Sequence, residues 1–201
     1  MKSLHPAAAL AFSAALISFS AHAQSTAPTT DTRPAQTTSQ ASQPAATTAE
    51  RQSSLAQEDQ TFLENAIQGS YAEIEGSQLA LDTTTSSDVK SFAQMMIEDH
   101  GKMLKEAQAL AQKKGMTPPT GPSVMQRTEI TALKALSGGA FDAMYVNRIG
   151  VASHEATVEM FEDASQEVQD PDVKALATKT LPKLREHLEM ARSLNQKQEK
   201  Q

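Results

Sequence analysis

Apolar residues recur at intervals of three and four over most of the chain from residue 57 onward. Such spacing places them on one face of an α-helix, so the pattern predicts helices and no strands. The four long predicted helices run from Gln57 to Leu81, from Ser86 or Ser87 to Lys114, from Ala140 to Val168, and from Asp170 to beyond Leu194. A shorter helix is predicted from Val124 to Leu136, between the second and third long helices.

The lengths of the connections predict how these helices are arranged. The first two long helices are separated by about five residues and the last two by about three, whereas roughly 25 residues join the two pairs. A bundle that simply alternates up and down does not need the longer connection. The sequence therefore predicts an all-α, ferritin-like four-helix bundle, made of two helical hairpins joined by a long crossover that contains a short helix.

The composition before the first helix predicts two further segments. Residues 1–23 combine Lys2, an apolar run from Ala7 to Phe19 and the Ala21-His22-Ala23 cleavage pattern, which is typical of a cleavable signal peptide. Residues 24–54 are rich in Ser, Thr, Ala, Gln and Pro and predict a disordered tether, since they have little apolar surface to bury. The bundle is expected over residues 55–198, in a periplasmic or secreted protein cut after Ala23.

Charge and cysteine content narrow the class of protein. The formal net charge of −6 argues against a general nucleic-acid binder, which would need a basic face. No later segment is long and apolar enough to span a membrane, so no transmembrane span is expected in the mature chain. The absence of cysteine excludes disulfides and a lipid anchor on a leading cysteine. No known nucleophile motif or cofactor fingerprint indicates an enzyme.

Candidate chemistry lies at three histidines near the middle of three different predicted helices. Of the five histidines, only His100, His154 and His187 lie beyond residue 23. Each stands three or four residues from apolar positions such as Met96 and Val151, so each faces the core. His100 and His154 both lie roughly 20 Å from the starts of their helices, which predicts that their rings meet at one level.

Helical spacing from apolar positions also selects Glu73 in the first helix, although this residue is expected about one helical turn from the level of the histidine rings. Three imidazoles and one carboxylate suit a single transition metal ion, namely Fe, Mn, Zn or Cu. The ferritin-type di-iron signature Glu-x-x-His is missing, because Ile97, Val151 and Leu184 stand three residues before the histidines. The alternative interpretation is a metal-free buried polar network that has a purely structural role.

Four further residues are candidates for orienting the rings. Asp99, Glu155 and Glu186 each adjoin a histidine in sequence, and Tyr145 lies in the third helix. A carboxylate next to a histidine either supports the imidazole or lies on the surface, because consecutive helical residues point about 100° apart. The functional hypotheses are metal handling or a role in stress response, a non-enzymatic envelope protein that binds a partner, and an enzyme that uses the cluster for redox chemistry. The sequence does not identify a partner or an oligomeric state.

Several short motifs, in this order, resemble those of one known family. They are Ala72-Glu73-Ile74-Glu75, Asp88-Val89-Lys90-Ser91-Phe92-Ala93, Asp99-His100, Phe141-Asp142-Ala143-Met144-Tyr145, His154-Glu155, and Leu181-Pro182 with Glu186-His187-Leu188. Over residues 57–194 the chain resembles an uncharacterised bacterial family usually labelled "predicted outer membrane protein", a domain of unknown function. The resemblance implies an exported ferritin-like bundle with histidines in corresponding places, and it supplies no function.

Overall fold

A computed structural model describes residues 53–200. The predicted signal peptide (residues 1–23) and all but the last two residues of the predicted tether lie outside the described residues. The helices are α1 (Gln57–Thr83), α2 (Ser87–Lys113), α3 (Val124–Lys134), α4 (Gly138–Met144), a π-helical segment (Tyr145–Ala152), α5 (Ser153–Glu167) and α6 (Pro171–Gln198). No strand occurs between residues 53 and 200.

The helices form the two predicted hairpins. Helix α1 packs along α2, and α5 packs along α6, while the π-helical segment lies against α6. Ser86 caps α2 by accepting a hydrogen bond from the Val89 amide, and Asp170 caps α6 with Pro171 in its first turn. The predicted fold class, an all-α ferritin-like bundle of two hairpins joined by a long crossover, is confirmed.

Polar contacts fasten the two hairpins together at one end of the bundle. The buried carboxylate of Asp59, in the first turn of α1, accepts hydrogen bonds from the amides of Gln169 and Asp170 at 3.0 Å each. The Lys114 ammonium, at the end of α2, lies 2.6 Å from Asp170 and 2.9 Å from Asp172. The turn between α5 and α6 is thereby held against both helices of the first hairpin.

The crossover carries α3 along the outside of α1. Gly115 ends α2 in the left-handed conformation, with φ of 79°, which favours glycine at this position. Ser123 and Gln126 then form a complete capping box at the start of α3. Ile130 and Leu133 are the buried residues of this helix, which contacts α1. The predicted short helix is confirmed, and it covers the first hairpin.

The predicted long helix from Ala140 to Val168 is present and runs without a break from residue 138 to residue 167, but Tyr145–Ala152 adopts π-helical winding, which was not predicted. The amide of Ser153 bonds to the carbonyl of Arg148, five residues earlier. Apolar spacing does not reveal such winding, because the α-helices before and after the π-helical segment each keep a regularly spaced buried face. Gly150 lets this segment approach its neighbours, since a Cβ there would lie 3.1 Å from Cβ of Ala191.

Two apolar clusters fill the interior of the bundle. The first, which we call the Phe161 cluster, includes Phe62, Leu63, Ile67, Leu104, Phe161, Leu176 and Leu184. The second, the Tyr145 cluster, includes Val89, Phe92, Met96, Leu133, Phe141, Tyr145, Ile149 and Leu194. No helix among residues 53–200 combines the length and hydropathy that crossing a bilayer requires.

Candidate metal centre

A layer of buried polar side chains separates the two apolar clusters. On α2, His100 lies between Met96 of the Tyr145 cluster and Leu104 of the Phe161 cluster. On α6, His187 lies in the same way between Leu184 and Ala191. Because a helical turn spans 5.4 Å, each of these imidazoles takes one core position at the middle of the bundle.

The three histidines meet at this layer, as the sequence predicts. His100, His154 and His187 are 3%, 1% and 0% exposed, and each comes from a different helix. Their ring centroids lie 5.4 to 5.6 Å apart. One ring nitrogen from each residue lies within 4.8 Å of the corresponding atoms of the other two. We call these three residues the histidine triad.

Hydrogen bonds to protein oxygens orient two of the rings. His154 Nδ1 lies 3.2 Å from the carbonyl oxygen of Ile149, in the π-helical segment, so Nδ1 carries a proton and donates it to this oxygen. His187 Nε2 lies 3.2 Å from Asp99 Oδ2 and donates in the same manner. In the neutral rings, His154 Nε2 and His187 Nδ1 then carry the lone pairs that can bind a metal.

Two buried nitrogens of the triad have no hydrogen-bond partner among the described residues, namely His100 Nδ1 and His187 Nδ1. His100 Nε2 lies 3.3 Å from His154 Nε2, the closest approach between two rings. Because His154 Nε2 offers a lone pair, a hydrogen bond here would require His100 to carry its proton on Nε2. Leaving a buried polar atom unpaired costs about 1–3 kcal/mol, so the triad is an incompletely satisfied group.

Glu73, the fourth predicted ligand, lies beside the triad and outside the set of converging ring nitrogens. Its Oε1 is 3.8 Å from His154 Nδ1 and accepts a hydrogen bond from Ser153 Oγ. Its Oε2 is buried and has no partner in the described part of the chain. Ser153 was not among the predicted site residues, although its position next to His154 is a signal that could have selected it.

Only one of the four predicted supporting residues contacts a ring of the triad. Asp99 bonds to His187, as described above, although it adjoins His100 in sequence. Glu155 pairs with Arg192 at 2.9 Å and Glu186 pairs with Lys183 at 2.6 Å, both on the surface. The hydroxyl of Tyr145 is buried and bonds to Ser77 Oγ at 2.8 Å, and it makes no hydrogen bond to a ring of the triad.

Burial shifts the protonation equilibria in the layer toward neutral forms. Burial, followed by the neighbouring His154 and His187, holds the pKa of His100 well below its usual value. Burial also lowers the pKa of His187, although the hydrogen bond that His187 donates to Asp99 acts in the opposite direction. The pKa of Glu73 is raised by burial, against the opposing effects of His154 and Ser153. Neutral imidazole is the form that coordinates metal ions.

The family described as a domain of unknown function, DUF4142, matches residues 44–194. The chain belongs to this family. The match confirms the predicted membership of a family of unknown function, and it begins within the segment predicted as a tether. None of the curated proteins matches the chain.

Two solved structures with low sequence identity have a similar fold. The DUF305 fragment from Deinococcus radiodurans is 14% identical, with a TM-score of 0.63, over 71% of this DUF4142 chain and 98% of its own. CopM in its Cu(II)-bound form is 19% identical, with a TM-score of 0.58, over 69% of this chain and 96% of its own. At these identities the likeness establishes the fold alone.

Proposed function

We propose that this DUF4142 protein binds one transition metal ion through His100, His154 and His187 and handles that metal in an exported compartment. The observation that carries the proposal is the convergence of three buried imidazole nitrogens from three helices within 4.8 Å. Two of these rings retain an unpaired buried nitrogen. His187 Nδ1 carries a lone pair that no protein donor satisfies, and a metal ion would use it.

The separation between the rings supports coordination to a common ion. Two nitrogens bound to a tetrahedral ion at 2.0–2.1 Å lie about 3.3–3.4 Å apart. His100 Nε2 and His154 Nε2 are 3.3 Å apart. The 4.8 Å limit on the full set means that binding closes the remaining separation by up to about 1.5 Å, a movement within reach of ring rotation.

The donor set favours copper, with zinc as the next candidate. Imidazole suits Zn, Cu and Fe, whereas Mn prefers carboxylate and water ligands. Of the divalent ions with this preference, Cu(II) binds nitrogen ligands most tightly. The structural neighbour CopM is a protein seen with Cu(II), which adds support for copper. Glu73 and Asp99 would then act on the rings from outside, as orienting and charge-balancing groups.

The expected leader supports the cellular part of the proposal. A signal peptide over residues 1–23 would direct the protein to an exported compartment. A tether over residues 24–54 would hold the bundle, residues 55–198, away from neighbouring structures. Metal buffering in the periplasm or outside the cell is the function that these features together favour, with protection against metal stress as its consequence.

Elemental analysis of protein purified without a histidine tag tests the proposal. We expect about one equivalent of bound metal after incubation with Cu(II), and loss of that equivalent in His154→Ala. Tyr145→Phe is the matched control, because it removes a buried polar atom of the neighbouring core and leaves the triad intact. Failure of Fe, Mn, Zn and Cu all to bind or to raise the melting temperature would refute the proposal.

A second candidate function is that of a metal-free envelope protein that binds a partner. It is favoured by the hydrogen bonds that His154 and His187 already make to Ile149 and Asp99. In that case the polar layer would fix the register of the four helices and bind nothing. Elemental analysis separates the two candidates directly, since only the first requires a metal.

A further inference from the structure

A groove between α1 and α5 adjoins a cavity that residues of α1, α2, α5 and α6 line. The groove has a volume of about 340 Å³, and the carboxylates of Glu58, Asp163 and Glu167 are among the residues that line it. The cavity is smaller, about 20 Å³, and is lined by Glu73 and His100 among others. Such a volume accommodates one water-sized ligand. The groove and cavity therefore differ in size and in depth toward the triad.

Two residues line both the groove and the cavity, Asn65 on α1 and Met160 on α5. They form the partition between the two spaces. Methionine has three rotatable bonds and no branch at Cβ, so its side chain can move aside at small cost. Met160 is half-buried, as a side chain at such a boundary would be. The partition can therefore open through movement of one flexible side chain.

The charge of the groove favours cations. Glu58, Asp163 and Glu167 make no ion pair among the described residues, and no lysine or arginine lines the groove. A second groove, between α2 and α6, provides a contrast at about 260 Å³. There Asp88 is paired with Lys197 at 3.0 Å, so the charge is balanced. Clefts lined by one sign of charge raise the local concentration of the opposite ion and its rate of association.

The inner cavity provides a place for a cation to go. His100 Nδ1 and Glu73 Oε2 are buried acceptors or donors without a partner in the described chain. Both residues are 3% exposed, and both line the cavity. The thioether of Met103 lines the same space and is a soft, weak ligand. Unpaired polar atoms are thus found where the groove leads and where the triad begins.

We propose that the groove between α1 and α5 is the path by which a metal cation enters the histidine triad, with Met160 as its gate. The three carboxylates attract the ion, Met160 moves aside, and Glu73 and His100 receive the ion in the cavity. This inference rests on the proposed metal binding, and it adds the direction from which the metal arrives.

Stopped-flow uptake of Cu(II) tests the path, with quenching of the emission of Tyr71 and Tyr145 as the signal. We expect the triple variant Glu58→Gln/Asp163→Asn/Glu167→Gln to take up Cu(II) about tenfold more slowly at low ionic strength, and the difference to shrink as salt is added. Neutralising three exposed carboxylates outside both spaces, Glu75, Glu98 and Glu199, is the matched charge control and should have a much smaller effect.

The gate is tested by Met160→Ala, which joins the groove to the cavity. We expect uptake and chelator-driven release both to become several-fold faster, with one ion still bound at saturation because the three imidazoles are intact. Met190→Ala, in the groove between α2 and α6, controls for loss of a half-exposed methionine. Leu194→Ala, at the other end of the core, controls for faster exchange caused by lower stability.

The outcomes separate the path from the site. If the wild type binds no Cu(II), the proposed function fails. If the wild type binds one equivalent but the groove variants match their controls in rate, the metal site stands and the path between α1 and α5 is overturned. Slower uptake in the groove triple together with faster exchange in Met160→Ala supports the path, because a general loss of stability would not produce opposite changes.

Discussion

Two buried polar groups of this bundle differ in how completely they are satisfied. Ser77 and Tyr145, the latter a member of the Tyr145 cluster, are both 0% exposed, and their hydroxyls bond to each other at 2.8 Å. The histidine triad is equally buried, but two of its nitrogens have no partner in the described chain. A pair that satisfies itself contributes to the fold, whereas a group left open at a cost of about 1–3 kcal/mol per atom is expected to bind something.

The environment also acts differently on the two groups. Burial raises the pKa of Tyr145, so that its hydroxyl stays protonated and can remain bonded to Ser77. Burial lowers the pKa values of His100 and His187, so that these rings stay neutral and keep lone pairs free. The same desolvation therefore stabilises a closed hydrogen bond in one place and prepares metal ligands in the other.

The largest expected effect is stabilisation of the folded protein by a metal ion bound at the triad. A ligand at a hundredfold excess over its dissociation constant stabilises the folded state by about 2.7 kcal/mol. For a domain of this size the melting temperature should rise by roughly 5–10 °C. We expect this shift for wild type with Cu(II), measured by calorimetry against the metal-free protein, and none for His100→Ala/His187→Ala. An equal shift in the double variant would show that the metal binds elsewhere.

The pH dependence of the metal-free protein is the next effect in size. His100 and His187 have lowered pKa values in the folded state, so below pH 6.5 the unfolded chain binds more protons. Their contribution to stability is therefore full above about pH 6.5 and is lost as the pH falls through the lowered values. The free energy of unfolding, measured with urea at a series of pH values, should fall by up to about 2.7 kcal/mol per pH unit, the slope for two protons.

Glu73 acts with the opposite sign in the same experiment. Its pKa is raised in the folded state, so its contribution is full below its ordinary value of 4.5 and is lost as the pH rises through the raised value. Glu73→Gln should therefore steepen the decrease in the free energy of unfolding below pH 6.5. His187→Leu should reduce the slope of that decrease by the contribution of about one proton. A metal-free wild type with constant stability from pH 8 to pH 5 would contradict the assignment of neutral rings.

The hydrogen bond between Asp99 and His187 should contribute to metal affinity. Asp99→Ala removes the acceptor that orients His187, and loss of such a partner weakens metal binding about 10- to 100-fold. Competition titration with a chelator measures this change. Glu186→Gln is the matched control, since Glu186 adjoins His187 in sequence but pairs with Lys183 on the surface. Equal losses in both variants would indicate a general effect of charge.

The contrast between Asp99 and Glu186 also marks how far the sequence could predict the site. Helical periodicity places His100, His154 and His187 on core faces, and matched depth places them at one level, as found. The choice among adjacent carboxylates depends on how the helices are rotated against each other, which periodicity does not specify. Asp99 supports a ring on another helix, so adjacency in sequence gave no guide to its partner.

The third long helix shows how far the fold could be predicted from the sequence. The four long helices and their pairing follow from apolar spacing and connection lengths, and both features were predicted. The π-helical winding at Tyr145–Ala152 was not, because it depends on close packing around Gly150 and on contacts with distant helices. It matters for the site because the carbonyl of Ile149 in this segment orients His154.

The smallest expected effect on metal affinity comes from a change in the hydrogen-bonded pair of Ser77 and Tyr145. Tyr145→Phe leaves Ser77 Oγ without its partner and should lower the free energy of unfolding by about 1–2 kcal/mol. Metal affinity should not change, because the hydroxyl of Tyr145 makes no contact with the triad. Chemical denaturation and Cu(II) titration of the same preparation measure the two quantities separately.

The double variant Ser77→Ala/Tyr145→Phe decides whether this pair is structural. Removing both hydroxyls leaves no buried polar atom unpaired there, so much of the stability lost in Tyr145→Phe should return. No such recovery is available within the triad, where one nitrogen of each ring is proposed to bind the metal ion. Weaker Cu(II) binding in the double variant would mean that the two polar groups are coupled, and the division between a structural pair and a binding site would fail.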